Sequence, residues 1–583
     1  MDELHDLPMV DGQTASPQSS SRNRLPWVAA VAIFLCFSIL YIGLRTGQYN
    51  GDMVWQARTA EGLRDVDFKA DHLMYGPMVR GIYLAWQAVG LPGRALIALQ
   101  TVNALFGGVM IAVMFLIMWH LTKRPGVSIF TAALFGLTPY IWRHATDVET
   151  YATNKMFQTI AIYFMFLLAM RGERSRPYLL AVAVGVFHAM AAHFQYLHVM
   201  LVPGALAACM LSVESGWRKR FGVAGVYLGV VGVLVWVPYL YIAFFVVEVS
   251  DLSGLWAWLV GPAYGWPAGA RMGVLETPMK LGAGFLNWAT PLGLPTHQAK
   301  RVLLGDNGLG AYLADFWWRI PIVLSLGAVQ AGLIWRLIRS WRHIVASWRN
   351  VVIVSLFIIV FYQAFHIYWG GFFMNLAMPA YVVMLALAYV DACRNRREEK
   401  FANVLSIGVP AILAIVATAG LVFAYIPQHD PANNEALQEV KAVSSEVSTD
   451  DLVFGPGGCL ASEYWAYFAP IHRTHWLEVY VGPEDDRLGF MLRRGDRAIE
   501  EVLEQGGRVF VHRLFADEDH MTRPWNEMRF AGVERKDVAG HFRRYPHEEI
   551  EIAGYRYWEI TGLPEDREVE DEAELDEPTP AVD

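Results

Sequence analysis

Charge is scarce in this chain. Asp, Glu, Lys and Arg make up 18% of its 583 residues against 55% hydrophobic, and mean hydropathy is +0.29. A soluble domain carries about a quarter of its residues charged, so an ordinary water-soluble fold is excluded. Cysteine is rare too. Cys36, Cys209 and Cys393 fall in or beside apolar runs and Cys459 lies apart, and nothing in their spacing resembles a disulfide framework or a zinc site. Lysine is scarcer still, 9 against 38 Arg, a bias that reads as genome composition. No basic stripe runs along any segment, which excludes a nucleic-acid partner. The net charge of −9 has one source, because the last twenty residues hold ten acids against one Arg. Segment 563–583 reads as a solvated, disordered tail, and the remainder is neutral.

What the chain has instead is apolar length. Runs of about 20 apolar residues, each enough to cross a bilayer, recur between Trp27 and Ile426. The first, "WVAAVAIFLCFSILYIGL", is too long for a signal-peptide core and reads as an uncleaved anchor behind a polar N-terminal segment 1–26. Basic clusters set the orientation: Arg22/Arg24, Lys123/Arg124, Arg171–Arg176, Arg218–Arg220, Arg336–Arg349 and Arg394–Arg397. All six are cytoplasmic if eleven helices span at 27–44, 95–121, 126–141, 156–170, 178–198, 199–214, 222–247, 320–337, 350–366, 373–392 and 402–426. The N-terminus is then inside and the C-terminus outside. The expected location is a prokaryotic plasma membrane, with lipids as surroundings. The piece 78–91 stays outside as an interfacial helix. No internal repeat is visible, against the inverted-repeat transporter folds.

The fold class is therefore an all-α polytopic membrane domain, 27–426, followed by a small extracytoplasmic α/β domain, 427–562. In the latter, "ALQEVKAVSSEV" and "DRAIEEVLEQGG" read as helices, and "DLVFGP" and "RVFVHRLF" as strands. "GPGGC" after the first strand is an anion cradle or, more simply, a turn.

Polar residues collect on the outer side. Asp52 follows the first helix in "YNGDMVWQ", placed to take a proton from a hydroxyl at the interface. Glu61, Asp65, Asp67 and Asp71 share its loop, so a solvated carboxylate is the other reading. His72 and Tyr75 precede a Gly76-Pro77 turn and suit a phosphate or a sugar hydroxyl, or else structural duty at the interface. The segment "IWRHATDVETYATNKMF" packs Arg143, His144, Asp147, Glu149, Tyr151 and Lys155 between two apolar runs. Charge near lipid is costly and marks function. A continuous helix would align Arg143, Asp147, Tyr151 and Lys155 on one face and turn Glu149 away, leaving a salt-bridge ladder as the structural alternative. His193 and His198, His366 with Tyr368 and Asn375, and Arg271 and Lys280 in a Trp-rich loop add further outer-side groups.

These motifs resemble the GT-C glycosyltransferases, in particular protein O-mannosyltransferases and an allied multi-pass group. That group opens its first loop with "GD", continues with a "HPPGYP"-like stretch, and carries an "EVYALN"-like stretch after the third helix. Here "GD" stands at 51–52, "HLMYGP" at 72–77 and "ETYATN" at 149–154. One Pro replaces the Pro-Pro-Gly turn, and the match covers roughly the first 200 residues. The resemblance implies transfer of a sugar from a polyprenyl-phosphate donor to a protein, lipid or glycan acceptor, with inversion. It implies Asp52 as general base, Asp147 and Glu149 as orienting carboxylates, and His72, Arg143 and Lys155 as partners of the leaving phosphate. Tyr75, Tyr151, His193, Arg271 and His366 complete the expected substrate contacts. It names no obligate cofactor and leaves room for a divalent cation at the two carboxylates. A lipid-linked sugar flippase and a non-catalytic scaffold are the rival readings.

Overall fold

The computed structural model describes residues 19–564 apart from 50, 67, 172–175, 213–215, 265–318, 370–373, 455–463, 466, 470–472, 476–486 and 514–534. Arg271, Lys280, Asp67, Cys459, "GPGGC" and the acidic tail lie outside the described residues, as does the side chain of His366.

Helices cover most of each segment expected to span, with 126–141 divided between two. The series runs α1 (Ser19–Gly43), α2 (Gly51–Glu61), α3 (Tyr75–Ala88), α4 (Ala95–Thr122), α5 (Pro125–Gly136), α6 (Pro139–Thr146), α7 (Thr150–Arg171), α8 (Pro177–Phe194), α9 (Val202–Leu211) and α10 (Trp217–Phe245). It continues as α11 (Leu252–Tyr264), α12 (Arg319–Arg339), α13 (Trp341–Trp369), α14 (Met374–Asn395) and α15 (Lys400–Gly420). Among the described residues seven of these are long and apolar enough to cross a bilayer unaided, or eight if α5 and α6 count as one span bent by 64°. The expected unbroken span 126–141 is thus two pieces. Pro139 opens the second, and a proline there cannot donate the amide that would continue the first.

Helix α4 is the hub. Apolar on all sides, it is 67% buried along its span, whereas α10 is 17% buried and presents Phe221, Trp236 and Phe245 outward as a lipid-facing surface. At Gly107 a Cβ would come within 2.6 Å of the Ala145 methyl and 3.0 Å of the Tyr41 ring, so only glycine permits α1, α4 and α6 to approach this closely.

The loop between α1 and α4 is structured. α2 and α3 pack against α4, α3 covering most of the expected segment 78–91. Beyond α15 the chain returns to this same surface, where the Gly47 amide donates to Gln428 O (2.7 Å) and His429 Nδ1 lies 2.7 Å from Arg45 O. Helix ends then alternate. The close of α1 and the starts of α4, α7 and α14 share one surface. The ends of α12 and α14 and the start of α15 share the other.

The C-terminal domain comprises α16 (Glu435–Val443), α17 (Arg487–Glu504), α18 (Arg535–Arg543) and a five-stranded sheet. Its strands are β1 (Leu452–Phe454), β2 (Arg473–His475), β3 (Val509–His512), β4 (His547–Ile552) and β5 (Tyr555–Ile560), in the order β2-β1-β3-β5-β4. β1 pairs parallel with β2 and β3, and β5 runs antiparallel to β3 and β4. β1 and β3 are buried throughout, as central parallel strands must be, while β4 exposes Glu548 and Glu549 at the edge. One apolar cluster joins this domain to the outer loop, bringing Met53, Val54 and Tyr75 together with Val440, Trp465 and Tyr557. Polar contacts reinforce the seam. Glu61 receives Arg94 (2.8 Å) and the Tyr467 hydroxyl (2.8 Å), and Tyr464 donates to Tyr49 O (2.6 Å).

Candidate active site

Helix α6 stops at Thr146 and α7 starts at Thr150, so the expected continuous helix through 143–155 is interrupted. Asp147 adopts an extended conformation (φ −103°, ψ 176°), and its Oδ1 accepts the Val148 amide at 2.6 Å. This local side-chain bond competes with helix continuation. The break also corrects the expected direction of Glu149. Instead of turning away, its carboxylate faces back to α6, with Oε1 3.4 Å from Arg143 Nη2 and Oε2 3.2 Å from His144 Nδ1, the latter off the line of a hydrogen bond. Arg143 Nε also lies 3.7 Å from Asp147 Oδ2. One guanidinium is therefore shared by two buried carboxylates. Arg143 itself remains 63% exposed, so its charge is offered to the space outside.

The break is held from α4. Asn103 Nδ2 donates to Asp147 O (2.8 Å) and Glu149 O (3.2 Å), and Gln100 Nε2 to Thr46 O (2.9 Å) and Thr146 O (3.1 Å). Neither residue figures in the sequence-derived site. Their signal was nonetheless present: two buried amides within a 28-residue apolar helix.

Asp52 sits in the first turn of α2, above this break. It is solvent-accessible, yet protein surrounds it on most sides, as on the wall of a hollow. Burial lifts its carboxyl above the ordinary range, the Glu149 charge lifts it further, and His72, Lys69 and Arg143 oppose the rise. Asp147 is driven higher by burial first and by the Glu149 charge second, with Arg143 opposing. Asp52 also acts on Asp147. The three carboxylates thus form one electrostatic group. Lys69, absent from the sequence-derived site, is stacked at 3.8 Å over Trp55 and adds a cation on the Asp52 side.

The remaining residues divide. Tyr75 is buried beside Asn103 and feels the charges of Glu149, Asp147 and Asp52. His72 is partly exposed, its Nδ1 2.9 Å from Phe194 O and its Nε2 3.6 Å from Asp71. Tyr151 packs its ring 4.5 Å from His144. Lys155 is fully buried below the break, donating to Gln158 Oε1 (3.1 Å). His193 is buried, bonded to Leu234 O (2.8 Å) and stacked on Tyr239, which is a structural setting. His198 is buried against the Tyr362 hydroxyl (2.7 Å).

Among the described residues no group of three or more His, Cys, Asp and Glu side chains is spaced to hold a metal. Arg143 already occupies the position between Asp147 and Glu149 that a cation would take.

No family model and no curated protein matches the sequence. The fold does have relatives. ArnT from Cupriavidus metallidurans, solved with undecaprenyl phosphate, aligns over 93% of this chain and 100% of its own with a TM-score of 0.51 at 12% identity. The Archaeoglobus fulgidus oligosaccharyltransferase aligns over 90% of this chain and 72% of its own, with a TM-score of 0.49 at 13% identity. The S. cerevisiae protein O-mannosyltransferase complex bound to its sugar donor aligns over 40% of this chain and 34% of its own, with a TM-score of 0.31 at 14% identity. An end-to-end match to ArnT, in a helical membrane bundle with a small α/β domain behind it, makes this chain a bearer of the GT-C fold.

Proposed function

We propose that the protein is a membrane glycosyltransferase that moves a sugar from a polyprenyl-phosphate donor to an acceptor hydroxyl at the extracytoplasmic surface. The observation that carries this reading is the Asp52 carboxylate: accessible, raised above its ordinary range, and set among Glu149, His72, Lys69 and Arg143. A base works best when its pKa approaches the working pH.

In this reaction the acceptor oxygen attacks the anomeric carbon as its proton passes to Asp52. The bond from that carbon to the phosphate oxygen breaks, and the polyprenyl phosphate leaves with the electron pair. A single displacement inverts the anomeric centre. Negative charge grows on the leaving phosphate, so cations must be in place beforehand. Arg143 is the exposed guanidinium nearest the carboxylates, with His72 and Lys69 on the Asp52 side. Asp147 and Glu149 fix Arg143 and leave their remaining acceptor capacity for sugar or acceptor hydroxyls. The fold supports the reading because the aligned ArnT structure holds a polyprenyl phosphate.

The flippase alternative draws on one observation, a polar chain from Lys155 through Gln158, Tyr362 and His198 to His188 and Tyr227. Its members are at most 1% exposed, so the chain is packed rather than water-filled. Incubation of purified protein with a panel of labelled polyprenyl-phosphate sugars tests the proposal. Transfer to any hydroxyl acceptor, lost in Asp52→Asn, sustains it. No transfer from any donor with a range of acceptors removes it.

A further inference from the structure

The surface opposite the candidate site carries a second charged structure. α12 ends at Arg339 and α13 begins at Trp341, and this elbow faces the end of α14 and the start of α15. A cavity of about 570 Å³ opens there, bordered by Arg336, Arg339, Arg342, His343, Asp391 and Glu399.

Part of its lining is rigid. Arg336 is 1% exposed, and its Nε and Nη2 each reach Asp391 Oδ2 at 2.7 Å while Nη1 reaches Glu399 Oε2 at 2.5 Å. Asp391 is fully buried and spends its other oxygen on His343 Nδ1 (2.6 Å). Asn395 Nδ2 donates to the Asp391 carbonyl (3.0 Å). The other part of the lining is unspent. Arg339 and Arg342 are exposed, and among the described residues neither has a carboxylate within ion-pair distance. Three guanidiniums thus meet two carboxylates, a net positive charge even with His343 neutral.

Orienting helices in a membrane needs basic residues at this end, but it does not need a buried Arg braced by two acids around an open cavity. A guanidinium pair of this kind matches phosphate oxygens in a bidentate manner. The rim indicates what carries the phosphate. Trp335 and Ile338 are 56% and 62% exposed at the same helix end, an apolar surface suited to acyl chains. Basic pockets between transmembrane helices bind anionic headgroups in this way. We propose that the elbow cavity binds the phosphate headgroup of an anionic phospholipid in the leaflet remote from the candidate site. Arg339 and Arg342 grip the phosphate, and Asp391 and Glu399 hold Arg336 as the fixed wall.

The test uses full-length protein in phosphatidylcholine bilayers doped with spin-labelled phosphatidylglycerol or spin-labelled phosphatidylcholine. The readout is the immobilised fraction of each label. Two guanidinium contacts at ~1 kcal/mol each correspond to a preference for phosphatidylglycerol of roughly 10- to 30-fold. Arg339→Gln/Arg342→Gln, at exposed positions that folding does not require, abolishes the preference. Arg218→Gln/Arg220→Gln, which removes charge elsewhere on the same surface, keeps it. Four results overturn the proposal: equal immobilisation of both lipids, a preference that survives Arg339→Gln/Arg342→Gln, equal loss in the two double variants, or displacement by excess inorganic phosphate, which would make the ligand a free anion.

Discussion

Two charged clusters sit at opposite surfaces of this bundle, and they are built on opposite principles. Around Asp391 the buried charges are matched at hydrogen-bond distance. Arg336 is matched by two carboxylates at hydrogen-bond distance, and His343 takes the oxygen left over. Around Asp147 two buried carboxylates share one guanidinium, and the contacts are long, 3.4 and 3.7 Å. The first pattern is what a buried ion network needs in order to be tolerated. The second leaves carboxyl groups raised above their ordinary range, and unresolved electrostatics of that kind gather where chemistry is done. Long, shared contacts, rather than the number of charges, separate the candidate active site from the brace beneath it.

The largest expected effect breaks the comparison at its functional end. Asp52→Asn lowers turnover by ~10²–10⁴, the usual loss of a general base. Thermal unfolding in detergent changes little, because a carboxyl raised on folding contributes stability at acid pH that is lost as pH rises, and Asn removes only that loss. Near-normal turnover by Asp52→Asn would move the base to Asp147 or Glu149.

Next comes the structural end. Asp391→Ala strands the buried Arg336 and costs ~3–5 kcal/mol, read as a lowered unfolding temperature. Asp147→Asn keeps an acceptor for Val148 while relieving repulsion from Glu149, so it shifts stability by less than ~1 kcal/mol although it impairs turnover. Equal destabilisation by the two substitutions would erase the distinction drawn above.

A third buried pair lies outside the membrane, where Glu439 Oε1 is 3.4 Å from His512 Nε2 and also accepts the Tyr557 hydroxyl at 2.5 Å. Burial pushes the Glu439 carboxyl up to about 7 and the His512 imidazole down to about 4. The signs oppose. Glu439 contributes stability that is present below its unfolded pKa and is lost as pH rises through about 7. His512 contributes stability that is present at neutral pH and is lost as pH falls toward about 4. Between those limits the two slopes offset one another, so stability of the wild-type protein is flat in acid and declines toward pH 7. In Glu439→Gln only the His512 slope remains, approaching ~1.4 kcal/mol per pH unit as the solution is acidified. Melting curves across pH 4.5–7.5 that show no difference between the two proteins would rule out the coupling.

The smallest effect serves as the control. Asp65 is exposed in the same loop as Asp52, and Asp65→Asn should leave turnover intact and stability within ~0.5 kcal/mol.

Much of the fold was legible in the sequence, because apolar length and basic clusters are one-dimensional signals. Among the described residues seven of the eleven expected spans fall on helices long and apolar enough to cross a bilayer, and the order of helix and strand in the C-terminal domain followed from period and turn chemistry. Two things were not legible. The break at 147–149 depends on Asn103 and Gln100, which reach it from a helix some 45 residues away in sequence, so periodicity alone continued the helix and misdirected Glu149. The Asp391 network joins residues 55 and 63 positions apart that carry no motif. Both are tertiary hydrogen-bond arrangements, and local pattern has no access to them.

The seam between the outer loop and the C-terminal domain has a consequence in time. Asp52 rides on a helix made early, yet the residues that pin its surroundings are made late. Tyr464 reaches back 415 positions to Tyr49, and Asn434 reaches 387 positions to Gly47. At ~5–20 residues per second, synthesis takes roughly 20–80 s to cover that distance. Throughout that interval the nascent chain already sits in the membrane with its carboxylates in place but its outer loop unpinned. A part of the chain made some 400 residues later therefore finishes the seating of Asp52.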